Sequence, residues 1–217
     1  MIKKHQILIE KYMDRPLSES NKLNLGSGLD YREGWVNVDL SKDFFKVDVL
    51  SDLNNLDKQP LPFKDKYFDY VFSAHTLEHL QPKSLTMVMK ELWRITKPNG
   101  IIEIRVPHFS CYNALCSFEH FSAFSIDGFS LLSDPKIYPY VQGMQMFQTP
   151  LFKIIRKKLM YQRTDDGNRW LIDKKGAYYY IAKIINFLAN SNIHFCERVW
   201  CHWVGGFQEM QIILRRE

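Results

Sequence analysis

The chain has 217 residues, 46% of them apolar and 24% charged, with a formal net charge of +5. That length and balance fit a single globular domain with a sizeable core. No apolar run approaches the ~18–20 residues that span a bilayer. The N-terminus "MIKKHQILIEKYMDR" carries charges throughout and lacks the apolar centre of a secretory signal, so a cytoplasmic location is expected.

In chain order, residues 1–20 form an N-terminal element, with an amphipathic helix expected over 2–14. Short apolar strands follow at "KLNLGSG" (22–28), "WVNVDL" (35–40), "FKVDVL" (45–50) and "YFDYVFSAH" (67–75). A helix is expected over "SLTMVMKELWRIT" (84–96), a turn at "KPNG" (97–100) and a fifth strand at "IIEIRVP" (101–107). This alternation of apolar strand with loop or helix argues for a mainly parallel sheet flanked by helices. Residues 108–192 break the rhythm and read as a helical insertion that shapes a substrate pocket, with helices at 150–162 and 177–190. Residues 193–217 return to strands, "HFCERVW" (194–200) and "QEMQIILRR" (208–216). The expectation is one α/β domain over 1–217, residues 21–107 being its ligand-binding half, with a seven-stranded sheet whose last strand is antiparallel.

Four cysteines form two C-x4-C pairs, Cys111/Cys116 and Cys196/Cys201. Structural zinc sites usually use tighter spacings, so buried free thiols are the simpler reading.

"NLGSG" follows the first strand, where glycine lets backbone approach a ligand closely. Asp39 ends the next strand, placed to accept hydrogen bonds from the two hydroxyls of a ribose. Asp52 follows the third strand and is placed to accept from an adenine amino group. A glycine pair alone is a weak signal. Together with "PLPF" (60–63), "FDYVFS" (68–73) and "LEHL" (77–80), the chain resembles the class I S-adenosylmethionine-dependent methyltransferases, well over about residues 20–107. The resemblance implies a Rossmann-like methyltransferase fold and S-adenosylmethionine as cofactor. Gly26, Ser27 and Gly28 would hold its methionine part, Asp39 the ribose and Asp52 the adenine, with Ser73 and Ala74 near the sulfonium. Three departures stand out. Asn24 sits where many members carry an acidic residue, no third glycine follows Gly28, and only "LDYREG" separates the loop from strand two. A nicotinamide-binding Rossmann domain wants G-x-G-x-x-G opening a helix, and here both the third glycine and the helix are missing.

Four of the seven histidines fall in two segments, "AHTLEHL" (74–80) and the stretch after strand five, "VPHFSCYNALCSFEHF". On a helix, His75, Glu78 and His79 would share one face. Loops after strands four and five both lie at the ligand edge of such a sheet, so His108 and His120 should approach the same pocket. Some metal-dependent members have an E-x-x-E-H start, and the small-RNA terminal ribose methyltransferases add a later histidine. By that resemblance His75, Glu78, His79 and His120 would bind a divalent metal, zinc, manganese or iron suiting imidazole better than magnesium. Metal-free readings stand beside it: His79 and His108 as general bases or orienting groups, or a purely structural cluster.

Residues 153–175 hold eight Lys/Arg against three Asp. Such a patch can meet RNA, phosphorylated substrates or an anionic membrane, or be only a solvated face. "YYYIAKIINFLA" reads as a lid helix packed on the core, with docking on a membrane or on a second protomer, in a homodimer, as the alternatives. Trp200 and Trp203 read as core before they read as sugar-stacking rings, and Glu91 with Arg94 as a surface pair. The expected acceptor is a hydroxyl of a sugar, polysaccharide precursor or other small molecule. An RNA ribose, or a non-catalytic role as a cofactor-binding partner protein, remains as the alternative.

Overall fold

The computed structural model describes residues 13, 16–43, 46–133, 151–162, 176–203 and 206–217. The helix expected over 2–14 lies outside the described residues. Seven strands form one sheet: β1 (Lys22–Leu25), β2 (Val36–Asp39), β3 (Val49–Leu50), β4 (Phe68–Ala74), β5 (Thr96–Val106), β6 (Phe152–Met160) and β7 (Glu209–Arg216). Their order is β3-β2-β1-β4-β5-β7-β6. β7 runs antiparallel to both neighbours, and the other pairings are parallel. The Rossmann-like sheet with an antiparallel last strand is therefore as expected.

β4 is central and reads "FDYVFSA", buried from Phe68 to Ser73, the near-continuous burial of a parallel strand covered on both faces. α1 (Pro82–Ile95) starts with a proline in its first turn and buries Ser84, Val88, Glu91, Leu92 and Ile95, one stripe at helical spacing laid on the sheet. The "KPNG" turn is absorbed into β5. Thr96 pairs with Phe68, the register then shifts, and Asn99 takes φ 61° before pairing resumes at Ile101.

Two expectations for the second half are corrected. Residues 152–160 are strand, not helix, so the insertion expected over 108–192 is interrupted by β6. Pairing with β7 from Phe152↔Arg216 to Met160↔Glu209 overrides the local helical reading of "FKIIRKKLM". Residues 193–198 are helix, not strand: α5 (Ile193–Arg198) is capped by Asn192, whose side chain accepts from the Phe195 N–H. Short helices α2 (Tyr112–Cys116) and α3 (Ile126–Ser130) follow β5. The helix expected at 177–190 is present as α4 (Ala177–Ser191).

No helix separates β1 from β2. A polar network holds that loop instead. The Asn37 side chain donates to the carbonyls of Arg32 and Trp35 and to Asp48, and accepts from Arg32 N–H and Asn24 Nδ2. Asn24 also donates to the Asp30 carbonyl at 2.6 Å. Burial pushes the Asp48 carboxyl up, but hydrogen bonds from the Asn37 side chain and backbone and from Tyr31 outweigh it and leave the group below its ordinary value. Asn24 is thus a structural residue of the loop. Glu91 and Arg94 are not a surface pair either. The guanidinium grips Glu91 through two hydrogen bonds, at 2.8 and 2.7 Å, and reaches the carbonyls of Leu61 and Phe63 and the Asp65 carboxylate. Glu91 also accepts from Leu61 N–H, so the pair clamps the "PLPF" loop.

Candidate active site

At the carboxyl end of β1 the chain turns through Gly26 at φ 69° and Gly28 at φ 47°, a region that favours glycine. Gly26 has a second constraint: a Cβ there would fall 2.0 Å from Thr76 Oγ1. Thr76 itself lies within hydrogen-bond distance of the Leu25, Gly26 and Ala74 carbonyls. The loop after β4 is thereby pinned against the glycine loop. A Cβ on Gly28 would meet nothing, leaving open space over that peptide.

Asp39 closes the other side of the loop. Its carboxylate accepts from Gly28 N–H at 2.7 Å and from Leu40 N–H at 2.7 Å. A carboxylate has about four lone-pair positions, so both oxygens keep capacity for a ligand's hydroxyls. The hydroxyls of Ser27 and Ser73 are buried and have no partner among the described residues. Two orphaned hydroxyls beside an open glycine turn are what a polar ligand's cradle presents before the ligand is considered. Asp52 caps the turn Leu53–Asn55 through the Asn54 N–H at 2.9 Å. Ala74 is half-buried at the end of β4.

"AHTLEHL" does not form the α-helix face expected of it. His75 takes φ 54°, and Leu77–His79 is a single 3-10 turn. His75 points to the side. Its Nδ1 lies 3.1 Å from Glu78 Oε1 and its Nε2 lies 2.8 Å from Glu209 Oε2. Both carboxylates are buried, while the imidazole is 40% exposed.

Glu78, His79 and His120 converge. Each offers one ligand atom, and these atoms lie within 4.8 Å of one another, the only such cluster of three among the described residues. The backbone brings His120 there: Phe121 N–H donates to the Glu78 carbonyl at 2.8 Å, and the His79 and His120 rings meet edge-on at 4.7 Å. His79 Nδ1 lies 3.2 Å from the Glu119 carbonyl. A carbonyl only accepts, so Nδ1 is the donor and Nε2 keeps its lone pair, the tautomer a metal-ligating histidine needs. Glu78 Oε2 and His120 Nδ1 are both buried without a hydrogen-bond partner. Such atoms are costly unless something satisfies them, so these three residues fit a divalent cation. His75, expected as a fourth ligand, sits instead on the far oxygen of Glu78 and orients that carboxylate.

His108 is not in this cluster. It is fully buried, with Nδ1 2.7 Å from Ser110 Oγ and Nε2 3.1 Å from Glu197 Oε1. Facing a carboxylate, Nε2 donates, and Nδ1 accepts from the serine hydroxyl. Glu197 also accepts from the N–H groups of Ile126 and Asp127. The ring ties the loop after β5 to α3 and α5, and with no exposed surface it offers no base to an acceptor. Burial likewise pushes the Cys196 thiol up to about 12 and raises Cys201, the behaviour of inert packed thiols. Trp200 packs on the core and Trp203 is exposed.

Glu209 and Glu197 escaped the reading of the sequence. Each is a buried carboxylate in an otherwise apolar or aromatic run, "QEMQIIL" and "HFCERVW", and that is the one signal that could have marked them.

Residues 27–104 match the family profile described as a methyltransferase domain. With the glycine loop, Asp39 and the sheet order, this match over about a third of the chain supports a class I S-adenosylmethionine-dependent methyltransferase. Its fold is similar to that of a SAM dependent methyltransferase from Archaeoglobus fulgidus, at 18% identity over 99% of this chain and 93% of the other, with a TM-score of 0.54. It is also similar to the YcgJ protein of Bacillus subtilis, at 15% identity over 99% and 98% of the two chains, with a TM-score of 0.53. At these identities the likeness is one of fold. No curated protein matches the sequence.

Proposed function

We propose that the protein O-methylates a hydroxyl of a sugar or similar small molecule, with a divalent cation held by Glu78, His79 and His120. The observation that carries this is the pair of orphaned buried atoms, Glu78 Oε2 and His120 Nδ1, beside the ligand-competent His79. Glu78 and His79 stand two and three residues past Thr76, where the loop after β4 touches the glycine loop.

In this reading Gly26, Ser27 and Gly28 cradle the methionine part of S-adenosylmethionine, and the Ser27 hydroxyl finds its partner there. Asp39 accepts from the ribose hydroxyls, Asp52 from the adenine amino group, and Ser73 and Ala74 line the region of the sulfonium. The methyl group arrives already activated, so the chain's work is alignment of the acceptor oxygen and removal of its proton. A divalent cation, when bound, lowers the pKa of a hydroxyl and favours adjacent pairs of them. Glu78 is oriented for its role by His75, which Glu209 anchors from behind. The exposed rings of Phe118 and Phe121 flank His120 in the chain, and such rings suit the apolar face of a carbohydrate. His108 serves as a positioning residue for that loop.

The test is S-adenosylhomocysteine release over a panel of sugars, sugar nucleotides and RNA, with and without a strong chelator. Release should occur with a vicinal-diol sugar, stop in chelator and return with added zinc or manganese. Undiminished turnover in chelator would overturn the metal, and turnover confined to RNA would overturn the acceptor.

A further inference from the structure

α4 is amphipathic in the opposite sense to a packed helix. Its polar stripe faces the protein. Asn190 accepts from Leu159 N–H at 2.9 Å and donates to the Leu159 carbonyl, while Asn186 accepts from Tyr161 N–H and donates to the Gln162 carbonyl. β6 is the edge of the sheet, and these two asparagines, one turn apart, satisfy backbone groups along the end of that edge, a common way of blunting it. The helix packs the small Ala182 and Ala189 inward.

Its apolar stripe therefore faces water. Tyr180, Ile181, Ile184, Phe187 and Leu188 are 49% to 72% exposed and fall on one face at helical spacing. A contiguous stripe of large apolar side chains is the signature of an interaction surface.

Charge selects the occupant. α4 carries one charged residue, Lys183, and no carboxylate. β6, to which it is bonded, carries Lys153, Arg156, Lys157 and Lys158 and no carboxylate. Residues 152–192 hold nine Lys/Arg against three Asp, a surplus of six, whereas the rest of the chain holds 20 Lys/Arg against 21 Asp/Glu. A second copy of the same surface would set this surplus against itself, and like charge across an interface is costly. An anionic lipid surface attracts it. Tyrosines such as Tyr178 and Tyr180 favour the headgroup boundary. No helix among the described residues is long and apolar enough to cross a membrane, so the association would be peripheral.

We propose that α4 is a membrane-surface helix, which lays its Tyr180–Ile184–Phe187–Leu188 face into an anionic bilayer while Asn186 and Asn190 fasten it to the sheet. The proposal does not depend on the acceptor or the metal. The test is co-sedimentation of the whole chain with vesicles of phosphatidylcholine alone and of phosphatidylcholine mixed equally with phosphatidylglycerol. The protein should partition onto the mixed vesicles and be released by high salt. Ile184→Glu/Phe187→Glu should lower that partitioning at least about tenfold with unchanged affinity for S-adenosylhomocysteine; Phe187→Ser carries the same test should the double variant fail to fold. Three results would overturn the proposal: no partitioning onto either vesicle, partitioning that neither variant weakens, or a dimer in sedimentation equilibrium that the substitutions dissociate.

Discussion

His79 and His108 follow neighbouring strands of the same sheet, yet the protein uses them in opposite ways. His108 is closed: both ring nitrogens are engaged, its partner Glu197 collects two backbone N–H groups as well, and no surface reaches solvent. His79 is open: one nitrogen is fixed by a carbonyl, and its neighbours Glu78 and His120 each keep a buried atom without a partner. A satisfied buried histidine stabilises a fold, while an unsatisfied cluster at a strand end spends stability on a ligand. Residue type does not separate the two uses; the inventory of partners does.

The sharpest way to break this comparison is His79→Ala. It should lower turnover by about a hundredfold or more while changing unfolding free energy by less than about 0.5 kcal/mol, as for other exposed positions. Steady-state kinetics and urea denaturation read the two effects, and a large stability loss would make His79 a structural residue like His108. Next is His108→Ala, which empties a fully buried ring site and takes one hydrogen bond from the buried Glu197 carboxylate, leaving it the Ile126 and Asp127 N–H groups. It should cost about 3–5 kcal/mol in urea denaturation, and full stability with lost turnover would return His108 to the active site. Smallest is Asp39→Ala, which sharpens the contrast by addressing the cofactor alone. Loss of charge-assisted hydrogen bonds should weaken S-adenosylhomocysteine binding by about 1.5–3 kcal/mol, or roughly ten- to a hundredfold, in calorimetry, with metal affinity unchanged. Unaltered affinity would remove Asp39 from the ribose.

What the sequence made legible follows the range of the interactions involved. β4 was plain because its burial is continuous and local in sequence. The glycine loop was plain because φ above zero and close approach to Thr76 both demand a residue without a side chain. β6 was not legible, since "FKIIRKKLM" suits a helix locally and becomes a strand only by pairing with β7, half a hundred residues on. Residues 194–200 misled in the other direction: their β-favouring side chains were outweighed by the Asn192 cap. The gathering of Glu78, His79 and His120 was foreseen, because topology alone brings the two loops together. Which histidines belonged to it was not. The partners that remove His108 and turn His75 aside, Glu197 and Glu209, lie 89 and 134 positions away.

The most direct test of the central claim is a cobalt(II) titration followed by visible absorption, on the wild-type chain and on His120→Ala, with S-adenosylhomocysteine affinity measured on the same samples. A saturable cobalt band in the wild type, lost in His120→Ala while S-adenosylhomocysteine binds both equally, is the predicted result. No band in a wild-type protein that binds S-adenosylhomocysteine normally would contradict it and leave Glu78, His79 and His120 without the ligand that their unpartnered atoms call for.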